Sequence, residues 1–333
     1  MKVIIPLAGE GRRMRPHTHT KPKPLLNVAG KPGLAYILDE LKEMDVSEII
    51  FITGHLRQKV EDYVKKEYSD FKCRFIEQKS MDGTAGAIRL AEPFIDEPVM
   101  IIFVDTIFDA DLGLIKKMKK DEAGIIWAKE VEDYQRFGVC VLDKDGHLTK
   151  IVEKPSTPIS KLANIGLYYV KDYKLMFKGI KHIYDEKKTL KGEYFLTDAF
   201  DYMIRKGAKI ICPPVKGWYD TGKPETLLES NRELLKKNGG RIIKTENSVI
   251  IKPVYIADGV KIKDSVIGPF VTIEEGTEII SSVVKDSMIG SNSKISDSLL
   301  ESSIIGDYSV IDDIFKSLNV GDHGIISFSE KKK

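Results

Sequence analysis

Between Leu7 and Pro32 the chain reads LAGEGRRMRPHTHTKPKPLLNVAGKP. Glycines stand at 9, 11 and 30, prolines at 16, 22, 24 and 32, and cations at 12, 13, 15, 21, 23 and 31. Glycine lets backbone N–H groups approach a ligand closely, and successive N–H groups form a nest for an anion. Lysine and arginine add full charges for phosphate oxygens, arginine as a planar fork. Residues of these types in one loop are suited to a polyphosphate. The dinucleotide fingerprint GxGxxG does not fit, because Met14 occupies its third glycine position and the loop is long and proline-rich. No GxxxxGK[ST] phosphate loop is present either.

Acidic groups that could hold a metal are fewer. Asp105 follows the apolar run 98–104 in the segment VDTIFDAD, with Asp109 and Asp111 close behind. A carboxylate at the end of a central strand is a common Mg²⁺ ligand. Asp105 is favoured because it follows the strand directly, whereas Asp111 is placed to cap a helix beginning near Leu112.

These residues need strands and helices to position them. Val3–Pro6, Glu48–Thr53, Cys73–Gln78 and Pro98–Val104 read as buried strands. Leu34, Ile37, Leu38, Leu41 and Met44 recur at helical spacing. A second helical stretch runs from His55 to about Tyr68, and another opens at Gly83. This alternation is the α/β pattern, in which ligands bind beyond the carboxyl ends of the strands. Gly124–Lys129 is a further strand. Asp145-Gly146, between Val139–Leu142 and Leu148–Val152, signals a hairpin. A helix begins near Glu193, with Thr197 or Asp198 as its cap, Ile210–Pro214 is a strand, and a last helix starts at Pro224.

The motif formed by Gly9, Gly11, Arg13, Met14, Pro16 and Thr18, then Pro22-Lys23-Pro24-Leu25 and Gly30-Lys31-Pro32, resembles that of the sugar-1-phosphate nucleotidyltransferases, and in particular the glucose-1-phosphate thymidylyl- and uridylyltransferases. Arg12 stands where the family has a small threonine, and Val104 where it has a glycine before the aspartate. The resemblance implies a Rossmann-like mixed sheet of the GT-A type. It also implies nucleotide contacts from Leu7, Ala8, Gly9, Gly11, Arg12, Gln78, Gly83 and Thr84, with Arg13 and Lys23 on the triphosphate. Sugar-phosphate contacts are implied for Gly138, Glu153, Lys154, Asn164 and Gly166, and Mg²⁺ ligands at Asp105 and Asp220. Gln78 is placed to read the base. Its amide can donate to and accept from a pyrimidine edge, which favours dTTP or UTP. Guanine is better served by a carboxylate, so a mannose-1-phosphate guanylyltransferase is the less favoured relative. The helix opening at Gly83-Thr84 is expected to turn its N-terminus toward the nucleotide.

The implied reaction is attack of a hexose 1-phosphate, glucose 1-phosphate first among them, on the α-phosphorus of the nucleotide, with pyrophosphate leaving. A phosphate monoester is already an anion, so no general base is needed, and His17 and His19 are read as exposed loop histidines without a role.

After a linker at 236–240 the pattern changes. Ile251, Ile256, Ile262, Ile267, Ile273, Ile279, Val284, Ile289, Ile295, Leu300, Ile305 and Ile311 recur at intervals of mostly five and six, with Gly, Ser, Asp and Asn between them. This is the hexapeptide signature of a parallel β-helix; the resemblance adds that it is left-handed. The shorter intervals suggest local bulges or imperfect coils. The chain is therefore read as a catalytic domain over 1–240 and an all-β left-handed β-helix over 241–333, the latter an oligomerisation module, with a homo-oligomer expected. A hexapeptide acyltransferase usually needs a histidine base, and this region offers only His323. A non-catalytic scaffold would not be expected to keep both aspartates and both loop cations.

Composition sets the outer bounds. With 333 residues, 42% hydrophobic content and 31% charged residues, the chain has the make-up of a soluble globular protein with a large core. A net charge of +2 argues against a nucleic-acid binder. Three cysteines, well separated in sequence, suggest buried thiols rather than a disulfide framework. No signal peptide or membrane span is read, and a cytoplasmic protein without membrane partners is expected.

Overall fold

The computed structural model describes residues 1–313 and 315–327; the basic run Lys331–Lys333 lies outside them. By its contacts the chain divides into two compact units. One contains residues 1–9 and 37–218, the other residues 10–36 and 219–333, so the glycine-rich loop from Glu10 onward belongs to the same unit as the C-terminal repeats.

The strands through residue 220 are β1 (Lys2–Pro6), β2 (Asn27–Val28), β3 (Lys31–Pro32), β4 (Glu48–Thr53), β5 (Cys73–Glu77), β6 (Val99–Ile102), β7 (Thr106–Asp109), β8 (Glu122–Glu130), β9 (Gly138–Leu142), β10 (Leu148–Glu153), β11 (Leu162–Val170), β12 (Lys209–Ile211) and β13 (Gly217–Asp220). The helices are α1 (Gly33–Lys42), α2 (Arg57–Glu67), α3 (Thr84–Arg89), α4 (Tyr173–Asp185), α5 (Leu196–Arg205) and α6 (Pro224–Asn238).

A nine-stranded mixed sheet forms the first unit, in the order β10-β9-β11-β6-β1-β4-β5, with β8 paired to β11 and β12. Strands β6, β1, β4 and β5 run parallel, while β11 runs antiparallel to β6. Val3, Ile4, Ile5 and Ile49 to Ile52 are all fully buried, the near-continuous apolar run expected of strands covered on both faces. Cys140 and Cys212 are buried as free thiols and hydrogen-bond to one another, although 72 positions apart in the numbering.

Helix α5 differs from its expected start. Phe195 precedes it, Thr197 and Asp198 lie in its first turn, and the Leu196 N–H donates to Thr84 Oγ1 at 3.0 Å. A side chain more than a hundred positions away supplies the cap, so local sequence could not locate it.

In the second unit, three five-stranded parallel sheets stack into a parallel β-helix. Val249, Val266, Val283 and Leu299 are successive partners on one face. Coils are thus 17 residues long at first, then 16, and 15 between the last partners Ile304 and Asn319, rather than three full hexapeptides. No register shift occurs between described coils, so the short intervals reflect tighter corners and not bulges. At one corner Asp264, Ser281, Asp297 and Asp313 take φ of 49°, 48°, 46° and 59°, a left-handed conformation that short polar residues tolerate. Ile256, Ile273, Ile289 and Ile305 fill the interior, each at most 2% exposed. Each coil buries these aliphatics only through its neighbours.

Candidate active site

In the first unit, parallel register brings several predicted positions to one edge of the sheet. Pro6 is opposite Ile52, and Thr53 is opposite Glu77. The next residues continue the pairing: Leu7 N–H donates to Ile52 O and Gln78 N–H to Thr53 O, both at 2.8 Å. Ala8 accepts from His55 N–H at 3.4 Å, and Gly54 is packed so closely on Ala8 that a methyl group would lie 3.0 Å from its Cα. Gly9 has open space around its Cα. Leu7, Ala8, Gly9 and Gln78 therefore gather where ligands of parallel sheets bind.

The Gln78 side chain is buried and oriented. Its Nε2 donates to Asp82 Oδ1 at 3.2 Å and to Gly83 O at 3.5 Å, which directs its carbonyl oxygen elsewhere. Asp82 is fixed in turn by the Tyr184 hydroxyl, and Tyr184 stacks on Tyr194 with ring centroids 3.9 Å apart. Gly83 has φ of 108° and sits against the Tyr194 backbone, leaving no room for a side chain. Thr84 opens α3, a helix of six residues, and its hydroxyl is committed to Leu196. Asp82, Tyr184 and Tyr194 had no signal in the sequence, because each acts through partners distant along the chain.

A second cluster in this unit joins the predicted sugar-phosphate residues. Asn164 donates to Gly138 O at 2.8 Å, and its Oδ1 accepts from the Gly166 N–H at 3.4 Å and from the buried Tyr168 hydroxyl. Glu153 accepts from Thr197 Oγ1 at 3.1 Å and pairs with Lys154 at 3.4 Å. Burial pushes the Glu153 carboxyl above its ordinary range, against the opposing pull of Lys154 and Thr197. Lys154 has φ of 44°, and its ammonium lies 4.5 Å from the centre of the Phe195 ring. A methyl group on Gly138 would come 2.7 Å from Thr197 Cγ2 and collide with the Asn164 amide. Thr197, read from sequence as a cap, belongs to this cluster.

Asp105 occupies the turn between β6 and β7, two positions beyond Phe103, whose N–H donates to Gly166 O at 2.9 Å. Asp111 accepts from Gly113 N–H at 2.9 Å and caps the turn that follows, as expected.

In the second unit, Gly11 has φ of 63°, and a methyl group there would stand 3.0 Å from Thr18 Cγ2 and 3.2 Å from Lys23 Cβ. The loop is thus wound tightly enough to bring Lys23 beside the Gly11 turn. Glu10 binds Arg12 at 2.8 Å and Arg15 at 2.9 Å, which engages the arginine that stands in place of threonine. A methyl group on Gly222 would lie 2.7 Å from Asp220 Oδ1 and 3.5 Å from Arg13 Nη2, so these two predicted residues flank the same glycine. Asp220 Oδ1 accepts from Gly222 N–H at 2.7 Å. His17 departs from expectation. It is 4% exposed and its Nε2–H donates to Asn319 Oδ1 at 2.6 Å, since the loop folds back on the coils; His19 is exposed as read.

Residues 2–237 match the nucleotidyl transferase family. The chain is 35% identical to the bifunctional protein GlmU of Methanocaldococcus jannaschii over 92% of its own length and 78% of that protein. It is 30% identical to a glucose-1-phosphate thymidylyltransferase of Streptomyces antibioticus over 92% and 87% of the two chains. A solved UDP-glucose pyrophosphorylase complexed with UDP-glucose superposes with a TM-score of 0.62 at 26% identity, covering 71% of this chain and 98% of that one. The mixed sheet and its ligand edge define an α/β nucleotide-binding enzyme. The chain belongs to the nucleotidyl transferase family, and it is a sugar-1-phosphate nucleotidyltransferase.

Among the described residues no helix is long and apolar enough to cross a membrane. None of these residues forms a group of three or more His, Cys, Asp or Glu side chains able to hold a metal. Mg²⁺ ordinarily takes one or two carboxylates and completes its shell with water and substrate phosphates. Asp220, whose Oδ1 is anchored by the Gly222 N–H, is a hard carboxylate donor of the kind that requirement names.

Proposed function

We propose that this enzyme joins dTTP or UTP to glucose 1-phosphate and releases pyrophosphate. The observation that carries the choice of nucleotide is the orientation of Gln78. With its amide N–H groups engaged by Asp82 and Gly83, its carbonyl is left to accept from a base. Uracil and thymine present an N3–H donor and guanine an N1–H, whereas cytosine and adenine present a ring-nitrogen acceptor at the equivalent edge; guanine's additional amino donor is better served by a carboxylate than by one amide oxygen. The two relatives that handle glucose nucleotides support the same sugar.

In this reading Leu7, Ala8, Gly9, Gly11, Arg12, Gly83 and Thr84 line the nucleotide. Arg13 neutralises the departing pyrophosphate and Lys23 the α-phosphate. Lys154 fixes the incoming phosphate while Glu153, Asn164 and the backbone at Gly138 and Gly166 take sugar hydroxyls. Two anionic reactants repel one another, so alignment and charge neutralisation supply most of the rate. Asp105 and Asp220 would hold Mg²⁺, and the cation would supply positive charge for the phosphate oxygens. The catalytic domain is assigned to residues 1–240 and the β-helix domain to 241–333. A cytoplasmic homo-oligomer completes the proposal.

The test is a matrix of four NTPs against hexose 1-phosphates, read by pyrophosphate release. Turnover confined to dTTP or UTP with glucose 1-phosphate supports it; preference for ATP, CTP or GTP overturns it. An acetyl-CoA assay on the same protein tests the acyl-transfer alternative.

A further inference from the structure

The glycine-rich loop is fastened to the β-helix by side chains that the proposed reaction does not use. Lys21 Nζ lies 2.6 Å from Asp307 Oδ2, the Thr20 hydroxyl donates to Asp322 Oδ2, and His17 donates to Asn319 at 2.6 Å. Each aspartate divides its oxygens. Asp307 Oδ1 accepts from Ser291 N–H at 3.0 Å, and Asp322 Oδ1 accepts from Asp307 N–H at 2.8 Å. One oxygen therefore holds the coil corner and the other holds the loop.

The same corner repeats at Gly290, Gly306 and Gly321. A methyl group on Gly290 would meet Asp307 N of the next coil at 2.6 Å, and one on Gly321 would instead meet Pro16 Cβ at 2.9 Å. Loop residue Pro16 thus packs on the glycine of this coil as the following coil packs on the others. Farther along, Ala29 N–H donates to Asn231 Oδ1 at 2.9 Å, and that oxygen also accepts from Thr272 at 2.6 Å. Between these anchors a cavity of about 50 Å³ separates loop from coils, with His17, Lys21, Asn27 and Glu274 on its lining.

We infer that Asp307, Asn319 and Asp322 are positioning residues for nucleotidyl transfer. They hold the loop that carries Arg13 and Lys23 in its phosphate-binding conformation, so the β-helix serves the reaction within the chain as well as any assembly. A loop ordered in advance loses less entropy on binding the triphosphate. The inference rests on the reading of residues 7–32 as the nucleotide loop.

The experiment compares wild type with Asp307→Asn/Asp322→Asn, and with Asp307→Glu as the conservative control. The double variant is expected to raise KM for the NTP about tenfold and KM for the sugar 1-phosphate less than twofold, with Asp307→Glu recovering much of the loss. Hydrogen exchange of amides 12–26 is expected to accelerate, while exchange in the mixed sheet stays unchanged. Equal effects on both KM values, or no change in loop exchange, overturns the inference. Loop exchange needs no turnover, so it decides the matter even if the nucleotide assignment fails in the substrate matrix. Should the aspartate variants not fold, Lys21→Met leaves the coil corners intact and is read in the same way.

Discussion

Lys21 and Asp307, 286 positions apart in the numbering, form a 2.6 Å ion pair that is 28% and 17% exposed on its two sides. Such a pair is screened less than one on an open surface. A double-mutant cycle with Lys21→Met and Asp307→Asn is expected to give a coupling of about 1 kcal/mol in thermal unfolding. A coupling indistinguishable from zero would mean that the pair forms without holding anything.

Asp105→Asn and Asp220→Asn each keep size and hydrogen bonding while removing a charge. Each is expected to lower Mg²⁺-dependent turnover by roughly two to three orders of magnitude with little change in Tm. Retention of near-wild-type turnover by either variant refutes that residue as a metal ligand.

Lys154→Ala is expected to raise KM for glucose 1-phosphate at least about tenfold while KM for the NTP stays within about twofold. Gly138→Ala places a methyl against Asn164 and Thr197 and should damage the same step at a stability cost of about 1–3 kcal/mol. Steady-state kinetics with each substrate varied in turn distinguishes this from a general loss.

Gln78→Leu removes the proposed acceptor and leaves Asp82 without that donor. The expected result is a loss of about tenfold or more in kcat/KM for dTTP and UTP, with discrimination against CTP reduced. Unaltered base preference would place recognition elsewhere.

Glu274 gives a pH dependence. Burial raises its pKa to about 7, opposed by Asn27 and Lys21 and aided by Asp307 and Glu275, and its Oε1 is buried without a hydrogen-bond partner. The folded protein therefore binds more protons than the unfolded chain between the unfolded value of 4.5 and about 7, so this contribution to stability falls as pH rises through that window. Glu274→Gln is expected to flatten the fall and to raise Tm at pH 8 by a few degrees, about 1 kcal/mol. Melting curves from pH 5 to 8 check it; a parallel shift at every pH excludes this carboxyl as the cause.

What the sequence made legible was local or periodic. Strand β4 is located because Ile49–Ile52 is an unbroken apolar run bounded by the polar Glu48 and Thr53, and the coils are located because one aliphatic per strand must point inward. The two-glycine loop could be read because glycine and cation types are chemical requirements. The misplaced features depend on partners far along the chain. His17 looked exposed because nothing near residue 17 announces Asn319, and α5 looked as though it capped itself because Thr84 lies outside any local window. Thr197 was read only as a cap, and Asp82 was overlooked, for the same reason: their places are set by tertiary neighbours and carry no spacing.

The glycine corner at residues 290, 306 and 321 has a consequence for how this molecule can change over evolutionary time. Solenoids commonly lengthen or shorten by whole-turn duplication or deletion, which leaves their surroundings indifferent. Here Pro16 is seated on one particular rung, and adding or removing a turn before it would carry Gly321 out of reach of the N-terminal segment. The number of rungs between the last helix and that seat is therefore fixed by the loop, and a modular architecture has become an indexed one.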